Sequence, residues 1–110
     1  MDRELVLSVN DIMIENQSSD YWYMSGDAMR DAGLGDQDMI KVVPANDYKD
    51  GDIVVAQVNG EVYVRRYFGR SDGAFLTPEN VNYPTIEVLN DDHNYEILGV
   101  VEEIIHANKY

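Results

Sequence analysis

The chain has 110 residues, enough for one compact domain and too few for two. Hydrophobic residues make up 45%, close to the soluble globular average, so a packed core is attainable, and the absence of Cys excludes disulfide staples, thiolate metal sites and cysteine nucleophiles. Eight Lys and Arg against 21 Asp and Glu leave 8 − 21 = −13, a charge that repels the phosphate backbone and argues against nucleic-acid binding by this segment itself. No stretch approaches the ~20 apolar residues of a membrane span. Met1-Asp2-Arg3-Glu4 does not read as a secretory signal, and the absence of Cys is compatible with a reducing cytoplasm.

In chain order, Leu5-Val6-Leu7-Ser8-Val9 and Tyr21-Trp22-Tyr23-Met24 are predicted strands, and residues 28–32 allow at most a turn or two of helix. Residues 39–43 and 53–58 are further strands. Between them, the run from Asn46 to Gly51 imitates a calcium loop, but Tyr48 and Gln57 stand where ligands are needed, so it is predicted to be a surface turn. Strands follow at 61–68, 74–76, 85–88 and 95–105, separated by Gly-, Ser-, Asp- and Asn-rich turns at 69–73 and 90–94. His93 and His106 are thirteen apart, without metal-ligand spacing, and read as surface histidines. The expectation is a mainly β, single compact domain over residues 1–110, built of twisted antiparallel sheets, with no metal and no cofactor.

Asn59-Gly60 between two apolar runs predicts a two-residue type I′ hairpin, because both turn positions need positive φ. That loop sets Val58 opposite Glu61, Ala56 opposite Tyr63 and Val54 opposite Arg65. Arg65 then shares a sheet face with Val54, Ala56 and Tyr63, and Arg66 shares the other with Ile53, Val55 and Val64. One of the two arginines is expected to point inward. A buried guanidinium needs a partner, and Asp27, Asp31 and Glu79 are the candidates. Eight tyrosines with Trp22 and Phe68 exceed the needs of a small core, which suggests an interface among them.

Four blocks recur in order: Ser25-Gly26-Asp27-Ala28-Met29, Gly33-Leu34-Gly35-Asp36-Gln37-Asp38, Gly51-Asp52-Ile53-Val54-Val55 and Val62-Tyr63-Val64-Arg65-Arg66. Leu76-Thr77-Pro78-Glu79-Asn80, Pro84-Thr85-Ile86 and Ile97-Leu98-Gly99-Val100-Val101 extend the pattern. Together they resemble the S24-like carboxy-terminal serine–lysine autopeptidase domain of LexA, UmuD and phage CI-type repressors, over residues 21–105. The resemblance implies a LexA/signal-peptidase-like fold. It also places Ala28 at the nucleophile position and Arg65 at that of the lysine base. A methyl has no attacking atom, and a guanidinium does not give up its proton to act as a base. The expectation is therefore a pseudo-peptidase with no catalytic residues. Ala32-Gly33, the sole Ala-Gly bond, lies inside a motif loop where it cannot be the scissile bond.

The resemblance further implies a dimerisation and cooperativity domain of a transcriptional repressor, of phage CI type in the closest version, in lysogeny. It would form a homodimer or higher homo-oligomer and reach operator DNA through an N-terminal helix-turn-helix domain missing from this chain. An antirepressor protein would then lift repression. The long closing strand offers either an edge or an apolar face for self-association, with Leu98, Val100, Val101 and Ile104 as contact residues. The alternatives are a LexA-like autopeptidase inactivated by Ser-to-Ala, or a UmuD-like polymerase accessory subunit.

Overall fold

Short runs of β-branched and aromatic residues, punctuated by Gly, Asn and Asp, fold here as strands almost throughout. The computed structural model describes residues 8–9, 12–13, 21–44, 47–91 and 94–106. Its strands are β1 (Ser8–Val9), β2 (Ile12–Met13), β3 (Tyr21–Met24), β4 (Met39–Pro44), β5 (Ile53–Val58), β6 (Glu61–Arg70), β7 (Gly73–Thr77), β8 (Ile86–Leu89) and β9 (Tyr95–Ile105). The helix expected at 28–32 shrinks to a 3-10 turn, Arg30–Ala32. Residues 5–7 of the first predicted strand, and His93 in the 90–94 turn, lie outside the described residues. Among the described residues, no helix is long and apolar enough to cross a membrane.

The strands form one sheet in the order β2-β3-β4-β9-β5-β6-β7-β8, antiparallel along that path, and β1 adds a short parallel pair to the start of β6. The β5–β6 hairpin has the predicted register: Val58 faces Glu61, Ala56 faces Tyr63 and Val54 faces Arg65. Its turn residues Asn59 and Gly60 take φ of 53° and 85°, as a type I′ loop requires.

Alternation along β5 and β6 sends side chains to two clusters on opposite faces. Val55, Val62 and Val64 join Met24, Ile40 and Val42 in the first, which Met29 and Leu34 complete from the 25–38 segment. Val54, Ala56 and Val58 join Ala74, Leu76 and Val88 in the second, where Tyr48, Tyr63, Tyr67 and Tyr95 pack from the sides. Tyr48 meets Tyr67 edge-on, with ring centres 4.8 Å apart. Full burial of Val, Leu, Ile or Met is worth about 1.5–3 kcal/mol each, so Met29 and Leu34 supply much of the energy that pins the 25–38 segment to the sheet.

Strand β9 lies between β4 and β5, and it is irregular. An extra residue, Glu102, is accommodated opposite Lys41/Val42, and another, Leu98, opposite Val55/Ala56. These bulges replace simple alternation. Leu98, Val101 and Ile104 turn toward the first cluster, and Tyr95, Ile97 and Val100 toward the second.

Candidate functional site

The first motif block follows β3 directly. Met24 donates its N–H to the carbonyl of Asp38 at 2.8 Å, and Gln37 donates to the carbonyl of Met24 at 2.9 Å, which closes the base of the 25–38 loop. The N–H of Gly26 is held by Asp36 Oδ1 at 2.7 Å. Ala28 is 1% exposed. Glu79 and Asn80, in the motif segment after β7, hydrogen-bond to the backbone around it. Glu79 donates its N–H to the carbonyl of Ala28 at 2.9 Å, and Asp31 donates to the carbonyl of Glu79 at 2.8 Å. Asn80, itself 4% exposed, donates Nδ2–H to the carbonyl of Asp27 at 2.8 Å.

Arg65 is the arginine that points inward, 2% exposed on the face of Val54, Ala56 and Tyr63. Its Cζ lies 5.1 Å from the centre of the Tyr63 ring and 5.8 Å from that of Tyr83, and Nη1 donates to the carbonyl of Val64 at 2.9 Å. Both phenols are tied down. Tyr63 donates its hydroxyl to Glu61 Oε1 at 2.8 Å, and Tyr83 donates to Asp27 Oδ1 at 2.9 Å. The chain Arg65–Tyr83–Asp27 therefore joins the second motif position to the residue preceding Ala28. Of the three carboxylates expected near the arginines, Glu79 serves Arg66, with Oε2 3.0 Å from Nε, while Nη1 of Arg66 donates to the carbonyl of Gly51 at 2.6 Å. Asp31 pairs instead with Arg30, at 3.6 Å.

The residues proposed for self-association occupy a different region. Leu98, Val100, Val101 and Ile104 are all half-buried on β9, but they do not share one surface: Val100 faces the second cluster and the other three the first. Residues 95–97 pair with β5, and Gly99 and Val100 pair with both β4 and β5. Residues 101–105 pair with β4 on one side, and among the described strands nothing pairs with the other.

Two features escaped sequence reasoning. Tyr83 has no motif signal, because it comes to Arg65 from a loop eighteen positions away in the chain. His106 is exposed, yet its Nδ1 lies 3.1 Å from Oδ2 of buried Asp38, an oxygen that also accepts the N–H of Gly35 at 2.8 Å. In the second cluster, burial, with Tyr48 and Tyr67 beside it, pushes the Tyr95 phenol up to about 12. Among the described residues no cluster of His, Asp and Glu is arranged to hold a metal ion. The acidic run after Asn46 is used in turn-making, with Asp52 accepting the N–H of Lys49 and Asp50 that of Gly69.

Comparison with known proteins agrees with the motif order. The family described as Peptidase S24-like matches residues 2–102. The LexA repressor of Leptothrix cholodnii is 39% identical over 80 residues, covering 73% of this chain and 35% of that protein. The LexA repressor of Saccharophagus degradans is 40% identical over 84 residues, covering 74% and 42%. That of Aliivibrio fischeri strain MJ11 is 30% identical over 98 residues, covering 89% and 47%. The chain thus spans less than half the length of these relatives. With the fold, the ordered motif blocks and a match over nearly its whole length, the chain belongs to the Peptidase S24-like family.

Proposed function

We propose that this chain is the self-association domain of a LexA-like transcriptional repressor whose peptidase site has become a structural brace. The observation that carries the proposal is the environment of Arg65, a permanently charged group enclosed between two tyrosines at the position where the family's chemistry needs a neutral amine. Ala28 contributes a buried methyl in place of a hydroxyl. Nucleophile and base are then both missing, and loss of either alone costs roughly 10⁴–10⁶-fold in comparable triads. The chain serves by holding copies together. Two tethered DNA-binding domains gain ~10²–10⁴ in avidity from the second, intramolecular contact. Operator recognition belongs to an N-terminal helix-turn-helix domain on the same polypeptide, consistent with a net charge of −13 on this segment. The phage CI-type version, relieved by an antirepressor in the bacterial cytoplasm, is the specific form we favour.

Self-association uses the unpaired edge of residues 101–105, with Val101 and Ile104 at its centre and Leu98 and Val100 packing behind it. A two-fold axis through that edge would pair the strand with its own copy. Two measurements test the proposal. Alkaline incubation of the full-length protein, followed by mass spectrometry, should reveal no self-cleavage product, and a discrete upstream cut refutes the loss of activity. Sedimentation of the 110-residue chain at tens of micromolar should give a dimer or larger species, and a clean monomer refutes the assembly role.

A further inference from the structure

The outer face of β6, β7 and β8 carries three apolar side chains in solvent: Phe68, Phe75 and Leu89, exposed at 37%, 38% and 46%. The register gathers them, with Phe68 opposite Phe75, Phe75 opposite Glu87, and Gly73 flanked by Arg70 and Leu89. At the other end of the sheet this same face is covered by the 25–38 segment, whose Met29 and Leu34 fill the first cluster. Here, among the described residues, Phe68, Phe75 and Leu89 remain exposed. Residues on the reverse side, Tyr67, Ala74, Leu76, Ile86 and Val88, already pack the second cluster, so core formation does not explain the three exposed side chains.

The charges around this patch are arranged. Arg70 lies over it, with Cζ 4.6 Å from the Phe75 ring centre, Nε 3.1 Å from Asp72 Oδ1 and Nη1 2.9 Å from Glu87 Oε2. Beside Phe68, the N–H of Gly69 holds Asp50 Oδ1 at 2.8 Å. Two carboxylates thus pair with one guanidinium and a third, Asp50, sits at the neighbouring residue, within a chain of net charge −13. A second copy would bring like charges together, and nucleic acid or an anionic lipid surface would be repelled in the same way. The patch also reaches a backbone edge, since β8 ends the strand order among the described residues.

We propose that this face and the β8 edge bind an extended segment of a different protein, whose side chains on the patch side alternate between Lys or Arg and apolar residues. A strand laid along β8 presents every second side chain to the patch. A basic residue then meets Glu87, and an apolar one two positions on meets Leu89 and Phe75, where Arg70 already shows that a guanidinium is accepted over the ring. The surface is remote in strand order from the unpaired edge of β9, so binding here is independent of self-association.

The test uses the 110-residue chain and a fluorescein-labelled peptide of sequence Thr-Lys-Thr-Leu-Thr-Lys-Thr-Leu, followed by anisotropy in 150 mM salt. Binding is expected in the range of roughly 10–100 µM, with amide shifts in the NMR spectrum concentrated at 68–75 and 86–89. The double change Phe68→Ser, Phe75→Ser keeps the net charge and should weaken binding at least about tenfold. Leu89→Ser provides a second variant, and circular dichroism must stay unchanged for both. A peptide with Glu for Lys should not bind. The proposal is overturned if the serine variants bind like the parent, which would leave only non-specific attraction to an acidic protein. It is equally overturned if the Lys peptide fails to bind at ~1 mM, or if the serine changes alter the sedimentation of the chain instead, which would assign the patch to self-contact.

Discussion

On the proposed reading Arg65→Lys returns a lysine to the base position, and here it should destabilise the protein. The guanidinium is 2% exposed, with tyrosine rings at 5.1 and 5.8 Å and a hydrogen bond of 2.9 Å to the carbonyl of Val64. A desolvated cation–π contact is worth ~1–2 kcal/mol, and a hydrogen bond from a charged donor ~1.5–3 kcal/mol. A lysine ammonium keeps the charge but not the flat plane that two rings can sandwich, and it is more strongly hydrated when removed from water. Loss of about half of these contributions gives ~2–4 kcal/mol, a fall in Tm of the order of 10–20 °C for a domain of this size. Arg66→Lys is the internal control. Arg66 is half-buried against Glu79, where a partly solvated pair contributes ~0.2–1 kcal/mol. Urea unfolding at constant m-value should therefore separate the two neighbouring substitutions by more than 1 kcal/mol. Equal stability of the two variants, or an Arg65→Lys protein within ~0.5 kcal/mol of the parent, would refute the bracing role.

Three further outcomes follow from the same geometry. In Gly99→Ala, the new Cβ would meet Val42 and the carbonyl oxygen of Val43 (2.7 Å away), so the variant should lose ~1–3 kcal/mol in thermal or urea unfolding. The Tyr95 phenol, raised to about 12 in the fold, holds its proton more tightly there than in the unfolded chain, where its pKa is near 10. Its stabilisation is thus complete below pH 10 and is lost between pH 10 and 12. The full displacement is worth ~2.7 kcal/mol and partial solvent access cuts this to ~1 kcal/mol, so Tyr95→Phe should flatten the alkaline limb of the stability–pH curve by that amount. Ile104→Asp at the unpaired edge of β9 should shift the sedimentation profile to monomer while the circular dichroism spectrum stays that of a sheet.

How far the sequence could be read depended on how locally each feature is determined. The hairpin was legible to the residue, because a two-residue loop sets register and Asn59-Gly60 favours the one turn type whose twist matches the strands. Placing Tyr63 and Arg65 on one face followed from that register. Which of Arg65 and Arg66 would be buried did not, since it depends on Tyr83 and Glu79, which arrive from a loop after another strand. Strand β9 shows the same limit. Its extent, 95–105, was clear from composition, but its place between β4 and β5 rests on pairings that span much of the chain. Its two bulges then made Leu98, Val101 and Ile104, three apart, share a cluster, a spacing that strict alternation assigns to opposite faces. The contact of His106 with Asp38 was invisible for a related reason: the two residues are brought together by the pairing of Met39 with Ile105.

The proposed loss of chemistry also has a structural logic. A lysine base in this fold must be buried enough to shed its proton, which means an environment that disfavours a cation. An arginine at the same place cannot shed its proton, so the environment has to favour a cation instead. The two ring faces and the carbonyl of Val64 do so, and each tyrosine is held by a carboxylate, Glu61 or Asp27, that adds negative potential nearby. On this reading the surroundings suit a fixed cation and not a lysine base. Restoring only Ala28→Ser leaves a hydroxyl without a base. Restoring only Arg65→Lys places an amine where its charged form is stabilised, which holds its pKa up and keeps it protonated near neutrality. Even the double change should stay far below an intact serine–lysine site until the cage is dismantled as well. Adding Tyr83→Leu to the double variant removes one ring and the hydroxyl that reaches Asp27, and is the step expected to lower the lysine pKa.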